Sequence, residues 1–431
     1  TIQNTTEQKN IVVTTDGPVN AFQSPMAQNP LQIVLGAEYR EEDFNLRPDS
    51  VLGPDVSGFN QALPISGTYD SYEAFGEAYL PLVEGADFAE ELSLNGAYRY
   101  SKYSTVGGVS SYAVGAEWAP VSDLRFRGQF QRAVRAPNVV ELFSPITNGF
   151  PTTTDPCAAQ AGPNGTTIAP TASATACATL TANGVPAALY GTQFQANTQL
   201  PGLFGGNTAL NEETSDTFTI GFVAQPSAIP GLALTVDYYD IQIDDAIGTV
   251  PSQTLVDDCY SGAVPSYCAL IARSPAGLVS NLNFQNLNLS KLTAKGIDME
   301  LTYGFDAESV GLGMLGGEFN LNVIGGYKIE TGFQGTSTSQ FFDCSGYFGA
   351  RGTAACGEPN PEWKHTATLR HTTGPLLNSL RWRYVGATEA DDPLSGGDPT
   401  TLFVSSFKAF SWYNYQKRPR RNDCYIVKKP F

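Results

Sequence analysis

The sequence predicts an all-β fold, an antiparallel transmembrane β-barrel, and three patterns indicate it. Apolar and polar residues alternate with a period of two over many segments of about ten residues, a length that lets a tilted strand cross a bilayer. The connections between these segments alternate between short turns and long loops, and six of the seven cysteines fall in the long loops. A barrel of the outer membrane has short periplasmic turns and long extracellular loops, whereas a soluble β-sandwich has no reason to sort its loops.

The clearest strand covers residues 124–130. Leu124, Phe126 and Phe130 share one parity, while Arg125 and Arg127 have the other, so one face is apolar and one is polar. A tight turn at 120–123 precedes the strand, and a proline at 137 closes it. Roughly seventy residues then pass before the next strand, which predicts a long loop on this side.

Similar alternation predicts the other strands, about twelve in all. Before the clearest strand we predict a partial strand near 11–15 and strands at 31–41, 71–81, 91–104 and 111–119, with a loop of about 28 residues after 41. The segment 71–81 alternates least clearly, so its facing stays open. After the long loop we predict strands at 213–224, 232–243, 292–305, 319–329, 362–372 and 377–386, and a last one near 401–410.

One of these strands changes parity along its length. In 232–243, Leu234 and Val236 lie on one parity, whereas Ile241 and Ile243 lie on the other. A slip of one residue turns every later side chain to the opposite face. We therefore predict a β-bulge at Tyr238 and Tyr239.

Composition limits the possible functions. The 431 residues include 43 glycines and 11% aromatic residues, only 16% are charged, and mean hydropathy is −0.16. No run of about 18 apolar residues is present, so no transmembrane helix is expected, and barrel strands would dilute the membrane signal with polar lumenal residues. The net charge of −17 argues against nucleic acid as a partner. No catalytic or cofactor-binding motif occurs, so we expect neither enzymatic activity nor a cofactor.

The cysteines form three close pairs, with Cys424 left over. Each pair falls within one long loop, and the pairs are Cys157/Cys177, Cys259/Cys268 and Cys344/Cys356. This placement predicts three local disulfides, made in an oxidising compartment such as the periplasm. Metal-binding thiols are the alternative, but no CxxC occurs and no histidine is close in sequence. His365 and His371 lie six residues apart on one strand, a poor geometry for a metal.

Alternation also predicts which charged side chains face the lumen of the barrel. An arginine that faced lipid at mid-membrane would cost about 2–4 kcal/mol, so the charged parity must point inward. The lumen would then have a wall of mixed charge, although for each residue a purely structural role remains an alternative. The predicted lumenal residues are Arg99, Glu117, Arg125, Arg127, Asp237, Asp298, Glu300, Arg381 and Arg383, together with Glu38, Lys364 and Arg370.

Several segments resemble a known family. Residues 135–143 read RAPNVVELF, which resembles a recurrent motif of TonB-dependent outer-membrane receptors, and residues 99–104, RYSKYS, are similar to that family's RYSDYS stretch. Residues 207–218 resemble its NPNLKPETSDTF segment, and 234–241 and 295–303 look like family strands. The motif positions in this chain are Arg135, Ala136, Pro137, Asn138, Glu141 and Leu142. At the strand end, Arg135, Asn138 and Glu141 could order the long loop.

The resemblance implies a receptor of the Gram-negative outer membrane that contacts lipid. It would capture a scarce small molecule, a siderophore, cobalamin or oligosaccharide, and import it with energy from the TonB complex, delivered through a plug domain. Family barrels have about 22 strands, so we expect a partial barrel over 1–403, without plug or closing strands. Residues 404–431 form an atypical basic tail, for which a truncated or frame-shifted end and a natural basic tail are the alternatives. The alternatives are a passive porin-like barrel and a secreted soluble β-protein.

Overall fold

The computed structural model describes residues 2–52, 63–288, 291–335, 341–351, 354–390, 403–404, 407–416 and 426–428. Within them, fourteen strands follow one another in chain order through one main sheet. These strands are β1 (Ile2–Val19), β2 (Leu31–Pro48), β3 (Ile65–Ala86), β4 (Ala89–Tyr103), β5 (Gly107–Val121), β6 (Leu124–Arg135), β7 (Glu213–Ala224), β8 (Leu232–Asp244), β9 (Lys291–Asp306), β10 (Glu318–Gln334), β11 (Trp363–Thr373), β12 (Leu376–Val385), β13 (Phe407–Gln416) and β14 (Ile426–Lys428).

Each of these strands pairs antiparallel with the next, from the β1–β2 ladder to the short β13–β14 ladder. A further short strand, Phe342–Asp343, pairs with β10. The prediction of an antiparallel all-β fold is confirmed. Among the described residues β1 pairs only with β2, so the sheet is open rather than closed on itself.

The sheet has an aromatic face and a polar face. On the aromatic face, Phe126 of β6 lies between Trp118 of β5 and Phe222 of β7, with ring centroids 5.7 and 6.3 Å away. Many apolar side chains of this face are open to the surroundings, including Val114 at 56% and Ile220 at 52% exposure. An exposed apolar surface that continues over many strands is typical of a sheet that faces lipid.

The structure also settles the facing of β3, which the sequence left open. Tyr72 of β3 lies against Tyr39 of β2, with the ring centroids 5.0 Å apart. Residues of β3 with the parity of Tyr72 therefore belong to the aromatic face. Glu73, on the opposite parity, ion-pairs with Arg99 of β4.

Several strands are longer than predicted, because pairing continues beyond the apolar band. The ladder between β2 and β3 runs on to the pair Leu46 and Ile65, so the intervening loop is shorter than the 28 residues expected. Here Glu41, Glu42 and Asp43 are consecutive, and a segment that is polar on both faces shows no alternation. β1 and β10 extend in the same way, and the last predicted strand, near 401–410, is observed at Phe407–Gln416.

The predicted β-bulge at Tyr238 and Tyr239 is wrong. β8 pairs with both neighbours without a register shift, and the irregularity lies instead between Lys295 and Gly296 of β9, in the ladder with β10. The parity change in β8 has another cause. Toward the loop end of β8, Asp240 occupies a position that faces the aromatic side, and its Oδ2 lies 3.7 Å from Lys295 Nζ. Ile241 and Ile243 therefore occupy positions that face the polar side.

The connections separate into a turn end and a long-loop end. At the turn end, the Asp123 carboxylate accepts hydrogen bonds from Ser227 N (2.8 Å) and Oγ (2.9 Å), which joins the turn after β5 to the turn after β7. At the long-loop end, the hairpin after β4 is the short exception. It uses Gly107 with a φ of 85°, a conformation that favours glycine.

Two long loops, residues 136–212 and 245–288, fold together into a unit that we call the cap. It contains α1 (Val139–Phe143), α2 (Ala174–Thr179) and α3 (Ser252–Ser261). A four-stranded sheet joins the two loops, because Gly202–Gly205 of the first pairs with Val279–Gln285 of the second. No helix in the described part of the chain is long and apolar enough to cross a membrane.

The cap contains a closely packed hydrophobic core. Leu255 and Cys259 of α3 and Leu282 are completely buried, and they cluster with Cys157 and Cys177 of the other loop. The sequence analysis predicted long loops here but no shared core. The Thr-, Ala-, Gly- and Pro-rich composition of residues 138–211 conceals it.

Candidate functional site: the polar face of the main sheet and the cap

Arg127 and Asp237 form the central ion pair of the polar face. Arg127 Nε lies 2.9 Å from Asp237 Oδ1, and its Nη2 lies 2.6 Å from Oδ2. The pair reaches from β6 to β8 across Gly221 of β7. A Cβ atom at Gly221 would lie 2.1 Å from the Asp237 carboxylate, so only glycine leaves room for this contact.

The other arginines on the first half of the polar face are also paired. Arg125 donates to Glu117 and Glu91, each at 2.7 Å. Arg99 donates to Glu38 at 2.9 Å and to Glu73, and its guanidinium lies 4.4 Å from the centroid of the Phe75 ring. These are charge-assisted hydrogen bonds, which are stronger than bonds between neutral groups and restrain the side chains.

One cavity on the polar face brings six of the predicted lumenal residues together, counting Lys364. It has a volume of about 680 Å³, and its lining includes Arg127, Asp237, Asp298, Glu300 and Arg383, with Lys328, Lys364, Tyr239 and Tyr384. This volume lies within the range usual for small-molecule sites, roughly 300–1,000 Å³. Arg99, Glu117 and Arg125 lie in separate ion-pair clusters, and Arg381 lies on the same face but outside the cavity lining.

The family-like motif forms a compact junction where β6 enters the cap. Arg135 ion-pairs with Glu213 of β7 and donates to Glu141 at 2.9 and 3.1 Å. Asn138 caps α1, because its Oδ1 accepts from Glu141 N at 2.9 Å and its own N donates to Glu141 Oε2 at 2.8 Å. Pro137 and Leu142 are buried beneath, and Ala136 is half-buried. This reciprocal capping box fixes the direction in which the loop leaves the sheet.

The helix α1 also anchors the cap to the sheet. A Cβ at Gly67 of β3 would lie 2.5 Å from Phe143 and 2.8 Å from Val139, so α1 packs directly on the β3 backbone. The Glu141 carbonyl accepts from Asn207 N at 2.9 Å and from Asn286 Nδ2 at 3.2 Å. Both cap loops are therefore bonded to the same helix.

A buried ion pair that sequence reasoning missed links the two loops of the cap. Arg273 Nη1 and Nη2 donate to the Asp155 carboxylate at 2.7 and 2.8 Å, and Arg273 Nε donates to the Tyr260 hydroxyl at 2.8 Å. The side chains of Arg273 and Asp155 are 0% and 2% exposed. Burial opposes the charge of Arg273, but its bonds to Asp155 outweigh this and raise its pKa.

The three disulfides predicted from the sequence are present. Cys157 is bonded to Cys177, Cys259 to Cys268 and Cys344 to Cys356. The first two lie in the cap core, one from each loop, and the third lies in the loop between β10 and β11. Cys424 lies outside the described residues, as does half of the predicted basic tail 404–431.

The histidines serve packing and hydrogen bonding. His365 accepts a hydrogen bond from Trp363 Nε1 at 2.7 Å and contacts the Trp382 ring, while His371 bonds to the Gly316 carbonyl at 2.8 Å and stacks on Phe319. The described part of the chain contains no group of three or more histidine, cysteine or acidic side chains placed to hold a metal ion.

An apolar face, a charged face and long disulfide-bonded loops at one end of an antiparallel sheet are the features of the receptor class of outer-membrane β-barrels. The chain belongs to the TonB-dependent receptor-like β-barrel family, whose model matches residues 2–416. TonB-dependent receptors are transport receptors of the Gram-negative outer membrane, and the family is not one of enzymes. No curated protein sequence matches the chain.

Solved structures show the same fold. A mutant ferric enterobactin receptor (PfeA) from Pseudomonas aeruginosa, in complex with enterobactin, has a TM-score of 0.59 and 13% identity over 97% of this chain and 47% of its own. The siderophore receptor PirA from Acinetobacter baumannii has a TM-score of 0.57 and 13% identity over 97% of this chain and 49% of its own. The chain spans about half the length of these structures, and at such identity the likeness shows the fold alone.

Proposed function

We propose that this chain is the barrel portion of a TonB-dependent receptor that imports a scarce nutrient across the outer membrane. The observation that carries this proposal is the match of the family model to residues 2–416, on a sheet whose two faces separate apolar from charged side chains. The aromatic face contacts outer-membrane lipid. The polar face surrounds the lumen, and the cap lies outside the cell.

In this proposal the energy comes from the TonB complex and reaches the receptor through a plug domain. The extracellular ligand is a small molecule of the kinds that this family imports, a siderophore, cobalamin or an oligosaccharide. Because two similar structures are siderophore receptors, a ferric siderophore is the first ligand to test.

The residues have different tasks. The charged residues of the polar face, from Arg99 on β4 to Arg383 on β12, line the path of the ligand. The motif residues around Arg135 hold the first cap loop in place over that path. The positions of these side chains on the polar face and at its loop end support both roles.

Uptake measurements in the bacterium that makes this protein test the proposal. Radiolabelled ferric siderophores, cobalamin and oligosaccharides are offered to the parent strain and to a strain from which the gene is deleted, with and without a protonophore. We expect the uptake of one nutrient to be lost on deletion and stopped by the protonophore. Uptake that depends on the gene but continues with the protonophore would instead support a passive porin-like barrel.

A further inference from the structure

The turn between β9 and β10, residues 307–317, consists almost entirely of apolar residues and glycine. We call this segment the hook, and two short 3₁₀ helices, Glu308–Val310 and Gly313–Leu315, shape it. Its apolar side chains point away from the fold. Met314 is fully exposed, and Val310, Leu312 and Leu315 are 45–54% exposed. An exposed apolar cluster of this kind indicates a surface that is covered by something else.

The backbone of the hook forms many of its own hydrogen bonds. Five of its N–H groups donate to carbonyl groups within the hook, at distances of 2.8–3.2 Å. Among them, Ala307 N donates to the Gly317 carbonyl and Leu312 N donates to the Ala307 carbonyl, which closes the loop on itself. A segment that leaves water needs partners for its backbone groups. The hook supplies many of these partners itself.

The hook is tied to the aromatic face of the main sheet. Phe305, Phe319 and His371 lie opposite one another on β9, β10 and β11. Their rings form a stack on this face, with centroids 5.4 and 4.4 Å apart. From this stack, His371 Nε2 donates to the Gly316 carbonyl at 2.8 Å. The end of the hook therefore lies on the side of the sheet that carries the exposed aromatic residues.

A second turn is bonded to the aromatic face in the same way. Trp118, which lies on this face, donates from Nε1 to the carbonyl of Phe88 at 3.2 Å. Phe88 belongs to the turn after β3 and is itself exposed. In both places a ring N–H at the end of the apolar surface bonds a turn carbonyl. The apolar surface that faces lipid therefore continues into the turns.

The charges near the hook indicate which kind of lipid suits it. Glu308 lies in the hook, and Asp306 and Glu318 end the two strands that flank it. No lysine or arginine occurs in the sequence between Lys295 and Lys328. An anionic lipid surface would therefore be repelled here, whereas the ammonium of a phosphatidylethanolamine head group would be attracted.

We propose that the hook inserts its apolar side chains into the periplasmic leaflet of the outer membrane, among zwitterionic phospholipids. Lipid fits better than a second copy or a periplasmic protein, because the hook continues the lipid-facing surface of the sheet. The inserted hook fixes the depth of β9 and β10 in the membrane. This inference uses the outer-membrane location of the family and not the import of a nutrient, so it and the uptake experiment fail separately.

Methionine oxidation tests the proposal, because Met314 is one of only three methionines in the chain. The full chain is placed in nanodiscs of phosphatidylethanolamine and phosphatidylcholine, with one copy per disc, and treated with peroxymonosulfate, a charged oxidant. Mass spectrometry compares sulfoxide formation with that in the urea-unfolded chain. We expect Met314 to be protected about tenfold or more, as should Met299 on the aromatic face. Ala174→Met, at an exposed position of the cap, should react at close to the unfolded rate.

Two matched variants test whether the leucines hold the hook in lipid. L312N/L315N should bring Met314 oxidation close to the unfolded rate, while continued protection of Met299 shows that the sheet is still inserted. The control L180N/L278N removes two exposed leucines of the cap and should leave Met314 protected. In phosphatidylglycerol discs, the protection of Met314 in the unmodified chain should be several times smaller.

Four results would overturn the proposal. They are oxidation of Met314 at the unfolded rate in the unmodified chain, protection that L312N/L315N leaves unchanged, protection that requires two copies per disc, and stronger protection in phosphatidylglycerol. The first, third and fourth need no variant, so the test remains decisive even if L312N/L315N does not fold.

Discussion

The cap and the main sheet distribute apolar and charged groups in opposite ways. In the cap, Leu255 and Leu282 are fully buried and cluster around two disulfides, as in a small soluble domain. In the main sheet, aromatic and aliphatic side chains such as Tyr98 and Val114 are more than half exposed. The cap can therefore be stable in water, whereas the sheet needs lipid around its aromatic face.

The two regions also use ion pairs differently. Arg273 and Asp155 in the cap are shielded from water, so either charge without the other would be costly. On the sheet, Arg127 is 49% and Asp237 is 25% exposed, and such pairs contribute little to stability. The sheet pairs therefore serve mainly to set the charge pattern of the polar face.

The largest expected effect is that of Arg273→Met. It leaves the Asp155 carboxylate buried without a partner and should destabilise the cap by about 3–5 kcal/mol. Limited proteolysis during a urea titration would measure the unfolding of the cap, with the fragments identified by mass spectrometry. The control Arg127→Met breaks the exposed pair and should cost about 1 kcal/mol or less. Equal losses in both variants would contradict the distinction between the two regions.

An arginine on β7 tests the aromatic face. Ile220 is 52% exposed on that face, and its neighbour Thr219 lines a cavity on the polar face. Ile220→Arg should destabilise the sheet in lipid by about 2–4 kcal/mol, because the charge would enter hydrocarbon. Thr219→Arg should have a much smaller effect on urea unfolding in lipid vesicles. The opposite order would show that the faces are assigned the wrong way round.

Removal of the second disulfide tests whether the two cap loops form one unit. The bond between Cys259 and Cys268 closes a separation of nine residues, and its loss should cost about 2.5 kcal/mol in the chain-entropy model. Since α3 shares a core with Cys157 and Cys177, C259A/C268A should also expose the loop 136–212 to protease. Increased cleavage confined to 245–288 would show that the loops fold independently.

A smaller effect should come from pH. Burial raises the pKa of both Asp258 and Asp257. For Asp257, a hydrogen bond from Gln253 lowers the pKa and so opposes this effect, whereas the charge of Asp258 raises it further. The folded cap therefore binds protons that the unfolded chain releases, so cap stability should rise slightly as pH falls from neutral toward about 4, the pKa of a free aspartate. The variant D257N/D258N should show less of this pH dependence of protease resistance. An unchanged dependence would exclude these carboxyls as its origin.

The sequence predicted best where alternation is strict. The strand at 213–224 is observed with those bounds, and its apolar side chains Phe218, Ile220 and Phe222 all face the aromatic side. Prediction failed beyond the apolar band, where β2 and β3 continue with polar residues on both faces. The disulfides were predictable because each pair is local in sequence.

The cap was not predictable in the same way. Arg273 and Asp155 are 118 residues apart, and no local pattern joins them. A weaker signal exists, since Leu282 and Phe284 alternate with Asn281 and Asn283 in a strand of the cap sheet, and this alternation could have indicated a buried face.

Tryptophan fluorescence gives the most direct test of the central claim, that the aromatic face of the main sheet lies in lipid. Trp118 and Trp382 lie on this face and are 43% and 36% exposed. With the chain reconstituted in vesicles of brominated phospholipid, we expect strong quenching relative to ordinary phospholipid and little quenching by iodide in the water. Strong quenching by iodide with no effect of bromine would contradict the account.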